Sequence, residues 1–109
     1  MGNNDFSGQD RRNYSRIIYQ PGNRASLIVG SQIYEVMDIT ESGVRFINEN
    51  PLSPDTAISG SILFLNGEMV EIEGKVEWQE EGEVGMSLSE FIPANVIKQE
   101  SRHLIVHSD

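Results

Sequence analysis

From Met69 to Trp78 the apolar residues Val70, Ile72, Val76 and Trp78 alternate with Glu71, Glu73, Lys75 and Glu77. A period of two places one set on each side of an extended chain, so this stretch predicts a strand with one buried and one solvated face. It follows Ile62-Leu63-Phe64-Leu65 and the dipeptide Asn66-Gly67, which tolerates two successive positive φ angles, so the two runs predict a tight hairpin. Val84, Met86 and Leu88 resume the alternation after Glu81-Gly82. Earlier runs at Ala25 to Val29, Ile33 to Ile39 and Val44 to Ile47 are each bounded by Gly, Ser, Asn or Pro. Six short strands joined by short turns, with no helical period between them, predict a mainly all-β fold: a six-stranded antiparallel barrel over residues 24–90. Asn48 to Thr56, with Pro51 and Pro54, is the one irregular connection. Pro93 suits a first helical turn, and 94–106 sets Val96, Ile97, Leu104 and Ile105 on one side, so a C-terminal α-helix over 93–106 is expected.

A chain of 109 residues has room for one core. Residues 1–10 have the composition of a flexible tail, and the first residues lack the basic start and apolar run of a secretory signal. No run reaches the ~18 apolar residues of a membrane helix, so membrane insertion is not expected and a cytoplasmic location is. Phe6 stands where a myristoylation motif needs Ser or Thr. The absence of cysteine excludes a disulfide framework, a thiolate nucleophile and a thiolate metal site. A net charge of −9 opposes DNA or RNA binding, because a negative surface repels the phosphate chain. The charge is uneven. Residues 1–34 carry two acids against four arginines, whereas 35–109 carry fifteen acids against four bases. That distribution suits a small anion held locally.

The arginines are concentrated in Arg11-Arg12-Asn13-Tyr14-Ser15-Arg16. Guanidinium forks grip phosphate or the O6/N7 edge of guanine through paired hydrogen bonds, and two forks four residues apart can clamp one nucleotide; an isolated basic cluster can equally be only a solvated edge. Asp38-Ile39-Thr40-Glu41-Ser42-Gly43 falls at a strand end, where Gly43 would permit positive φ and close approach of a ligand; the plainer reading is an Asx or Ser/Thr turn. Trp78 is either a barrel plug or a wall on which a base stacks. Arg45 could reach the same site but reads better as a surface arginine. His103 and His107, with Glu100 three residues before, have a spacing that could hold a metal, although Leu104, Ile105 and Val106 between them favour a pattern set by packing. No nucleophile elbow, phosphate loop, dinucleotide fingerprint or zinc-helix motif occurs, so the chain does not read as an enzyme and no cofactor is expected.

RRxxxR at Arg11 to Arg16, followed by DxTxxG at Asp38 to Gly43 on a six-stranded chain with a terminal helix, resembles the PilZ domain family over residues 11–106. Thr40 departs from the family's usual serine; it keeps the hydroxyl and adds a stiffening methyl, which bears on affinity. The resemblance implies a bacterial receptor for cyclic di-GMP that does no chemistry on it. It implies that Arg12 and Arg16 hold phosphates and a guanine edge, that Arg11 assists, and that Asp38, Thr40 and Gly43 hold the other guanine side. Residues 11–17 would then be a switch segment, ordered by the ligand to change contact with an effector protein. The rival expectation is an adaptor barrel that works through protein partners without the nucleotide.

Overall fold

The structure, a computed structural model, describes residues 16–107, with side chains through residue 105. Among them are seven strands: β1 (Ile17–Ile18), β2 (Ser26–Val29), β3 (Gln32–Ile39), β4 (Gly43–Ile47), β5 (Ala57–Leu63), β6 (Met69–Glu80) and β7 (Glu83–Leu88), followed by α1 (Ala94–His107). All pairings are antiparallel, in the order β1-β3-β2-β5-β6-β7-β4, and an added β3–β4 pairing closes six of the strands into a barrel. The fold is the expected barrel with a C-terminal helix.

The seventh strand is not legible in the sequence. β1 is two residues long and lies on the same edge of β3 as β2, pairing Ile17 with Ile39 and Ile18 with Asp38 while β2 takes Gln32 to Glu35. Two residues carry no period, so its pairing is a product of tertiary structure.

The turns differ from expectation in an instructive way. Asn66-Gly67 does not make a two-residue hairpin: β5 and β6 last pair at Leu63 and Met69, the Gly67 amide donates to the Phe64 carbonyl, the Phe64 amide donates to Glu68, and only Gly67 has positive φ. That is a longer turn closed by a left-handed glycine. The tight turn with two positive φ values occurs at Glu81 (51°) and Gly82 (80°), between the paired Glu80 and Glu83.

Leu27, Val36, Ile39, Phe46, Ile62, Val76 and Val84 are sealed inside the barrel, and Val96 and Ile97 of α1 join the same core. Leu104 packs against it, but Ile105, expected on the apolar side, is 74% exposed. Its place on the inner stripe is taken by Glu100, which is fully buried. The Glu100 carboxylate accepts hydrogen bonds from the Tyr19 hydroxyl (2.8 Å) and from the amides of Leu65 (2.9 Å) and Asn66 (3.0 Å). One side chain of α1 thereby ties the chain just after β1 to the β5–β6 turn. It also makes Glu100 a core residue turned away from solvent, so the spacing shared with His103 and His107 reflects packing. No group of three metal-ligating side chains is found among the described residues.

Candidate functional site

Strict alternation would send Asp38 to the same side as Val36, and Trp78 to the same side as Val76. Both valines are fully buried, so both of these residues would point into the core. Neither does. The register slips by one residue between Val36 and Asp38 on β3, and again between Val76 and Trp78 on β6. Each slip is a bulge, which inserts one extra residue and turns the residues beyond it to the opposite face. Ile39 returns to the core, Asp38 faces outward, and Trp78 emerges 42% exposed instead of plugging the barrel.

The two bulges lie level across the sheet. Ile18 pairs with Asp38, Asp38 with Arg45, Arg45 with Gly85, and Gly85 with Trp78, so one outer-face row crosses β1, β3, β4, β7 and β6. Gly85 is what allows the row to close over: a Cβ there would run into the Trp78 indole, so the ring lies against bare backbone. The row begins at Ile18, 61% exposed, and ends at the indole, with charged groups between them.

Those charged groups are not free-standing. Arg45 donates to Oδ2 of Asp38 from both Nε (2.9 Å) and Nη2 (2.6 Å), and from Nη1 to Glu83 (2.9 Å). Arg45 is therefore the hub of an ionic cluster instead of a solvated surface arginine; its side chain is 33% exposed and covers Asp38. The hydrogen bonds to Asp38 push its guanidinium further toward the protonated form, with the charges of Asp38 and Glu83 adding to them, against the opposing effect of burial. The signal in the sequence was its place: Arg45 stands between buried Val44 and Phe46, on the face that Asp38 reaches only through the bulge.

Beside this row the chain turns from β3 into β4. Thr40 Oγ1 accepts from the amides of Ser42 (3.2 Å) and Gly43 (3.1 Å), and the Thr40 amide donates to the Gly43 carbonyl (2.9 Å). This is the Ser/Thr turn, with the threonine hydroxyl shaping the loop. Gly43 does not have positive φ; its glycine is explained by close approach, since a Cβ would stand 3.3 Å from the Met86 carbonyl oxygen of β7.

Arg16 reaches the same place by register. The β1–β3 pairing of Ile17 with Ile39 sets Arg16 next in line against Thr40, and its side chain is exposed. Arg16, Asp38, Thr40, Gly43 and Trp78 all border one open cleft of about 420 Å³, together with Arg45. Five of the seven residues singled out from the sequence thus share one cleft; Arg11 and Arg12 lie outside the described residues. A base has an indole to stack on and a carboxylate for its N–H groups, and an anion has Arg16.

The described residues thus form an antiparallel barrel with an arginine just ahead of β1 and a bulge-presented aspartate beside an open cleft on the outer face. The chain belongs to the PilZ domain family, whose model matches residues 10–105. PilZ domains are binding and adaptor modules, not an enzyme family, and are associated with cyclic di-GMP. No curated relative matches the chain. No helix among the described residues is long and apolar enough to cross a membrane.

Proposed function

We propose that this chain is a bacterial, cytoplasmic receptor for cyclic di-GMP that performs no chemistry on the ligand. The observation that carries the reading is the meeting of Arg16, Asp38, Thr40, Gly43 and Trp78 around one cleft in a chain that matches the family model. Arg12 and Arg16 hold phosphate oxygens and the O6/N7 edge of one guanine, with Arg11 assisting; Asp38 accepts from guanine N1–H and N2–H; Trp78 offers a stacking surface. Cation and carboxylate address opposite edges of the base, so each is needed for a different part of guanine.

Binding also orders the arginine segment. Arg11, Arg12 and Arg16 repel one another until a ligand with two phosphates supplies a shared countercharge, and fixing each backbone residue costs ~1–2 kcal/mol that only the ligand can offset. The ordered segment, drawn against the β3–β4 turn, is a new surface for an effector protein.

Isothermal titration with cyclic di-GMP, GTP and cyclic di-AMP tests this directly. Tight binding of the first alone is expected, with affinity reduced about tenfold or more in Arg12→Ala and in Arg16→Ala, since one bidentate contact is worth ~1–3 kcal/mol. Equal uptake of all three nucleotides would refute the guanine preference, full binding by both variants would refute the arginine assignment, and no uptake of cyclic di-GMP would discard the reading in favour of an adaptor barrel. Amide exchange of residues 8–17 should slow on saturation with cyclic di-GMP; unchanged exchange would refute the ordering step while leaving binding intact.

A further inference from the structure

Two of the three guanidinium nitrogens of Arg45 are spent on a single oxygen, Oδ2 of Asp38, and the third on Glu83. With its fork turned to two carboxylates, Arg45 is poorly placed to serve as another phosphate ligand. What it does is fix one carboxylate oxygen, and through it the plane of the carboxyl group. Oδ1 has no hydrogen-bond partner among the described residues, although the residue as a whole is only 7% exposed and borders the cleft.

We propose that Arg45 is the positioning residue that sets guanine selectivity: by clamping Oδ2 it holds the Asp38 carboxylate oriented, with Oδ1 aimed into the cleft. This rests on the receptor reading above. The chemical reason is the difference between two purine edges. Guanine presents two adjacent donors, N1–H and N2–H, and an oriented carboxylate accepts from both. Adenine presents an acceptor at N1, which faces a carboxylate oxygen as one lone pair against another. A carboxylate that is free to turn still repels adenine N1 but no longer meets both guanine donors, so the discrimination falls through the loss of guanine binding. Aspartate alone therefore does not suffice; it must be kept still. The bulge at β3 turns Asp38 outward, and Arg45, directly opposite on β4, is the side chain that stops it from rotating.

The test is a selectivity ratio measured by titration of the full chain with cyclic di-GMP and cyclic di-AMP. Arg45→Met, which keeps length and loses the fork, should lower the ratio about tenfold or more, chiefly through weaker cyclic di-GMP binding. Arg45→Lys keeps the charge without the bidentate geometry, and is expected to lose most of the same selectivity. In an Asp38→Asn background, adding Arg45→Met should change affinity less than twofold, because a residue acting through Asp38 has nothing left to act on. Full additivity in that background would make Arg45 a direct ligand contact and overturn the proposal, as would a ratio left intact in Arg45→Met or restored to the wild-type value by lysine. Should the methionine variant fail to fold, the lysine variant and its double mutant with Asp38→Asn carry the same comparison. A wild-type chain that takes up no cyclic di-GMP overturns the receptor reading and this role with it; wild-type binding with an unchanged ratio in the variants overturns this role alone.

Discussion

Asp38 and Glu100 are the two buried acids among the described residues, and they are buried in opposite ways. Glu100 is sealed completely, on a helix, and satisfied by three neutral donors from two distant parts of the chain. Asp38 is covered by a single cation at the edge of a cleft, on a strand that had to break its register to present it. A buried carboxylate with all its acceptor capacity used inside the fold is a fastener. One that keeps an oxygen toward a cleft while a guanidinium holds the other oxygen still has acceptor capacity left for an incoming donor. Burial alone does not separate the two; the chemistry of the partners does.

The contrast is most exposed to refutation at Glu100. Glu100→Leu strands the Leu65 and Asn66 amides and the Tyr19 hydroxyl, and at ~1–3 kcal/mol for each unsatisfied group should cost about 3 kcal/mol or more. Denaturant unfolding would measure it, and a loss under about 1 kcal/mol would mean the three bonds are not holding the fold. Asp38→Ala should reverse the pattern: cyclic di-GMP affinity falls by more than tenfold, while stability drops by about 1 kcal/mol, since Arg45 keeps Glu83 and is partly hydrated. If Asp38→Ala unfolded the protein as Glu100→Leu does, the two carboxylates would share one role.

A third prediction sharpens the fastener through its partner. Burial, followed by the hydrogen bond and the charge of Glu100, raises the pKa of the Tyr19 phenol well above its ordinary value near 10. A folded pKa higher than the unfolded one means that the contribution is complete below about pH 10 and declines as pH rises further, because only the unfolded chain releases the proton. Tyr19→Phe should therefore lose about 1 kcal/mol at neutral pH and show a shallower decline between about pH 10 and 11 than the parent. Parallel stability curves for the two proteins would remove Tyr19 from the account. The smallest effect belongs to the cleft: Thr40→Ser keeps the oxygen that accepts from Ser42 and Gly43, so cyclic di-GMP affinity should change by less than about threefold. A larger loss would show that the methyl group matters.

Much of the fold is readable from residue order. The alternation of Met69 to Trp78 requires a half-buried strand whatever it packs on, because a one-residue slip would expose every apolar side chain at once. The same logic yields the six barrel strands and, with Pro93, the terminal helix. The arginine cluster stands out because guanidinium forks suit guanine and phosphate, whereas DxTxxG stands out only through the family resemblance. Three features lie beyond that reach. Arg45 reads as a surface residue because unbroken alternation sets its partner Asp38 on the face of Val36, and Glu100 groups with two histidines because its hydrogen-bond donors lie 34 to 81 residues away. Asn66-Gly67 suggests the tight turn that Glu81-Gly82 adopts, but local preference is overridden where Glu100 takes up the Leu65 and Asn66 amides.

The sequence by itself determined which faces must be hidden, since the period of apolar residues follows from backbone geometry alone. Only the tertiary structure decided which polar groups meet. A bulge depends on how two strands align when the barrel closes, and it reverses every later side chain on its strand without altering the composition of the segment. Two such bulges, at β3 and β6, turned Asp38 and Trp78 away from the face that unbroken alternation would give them, and so brought them into one row with Arg45.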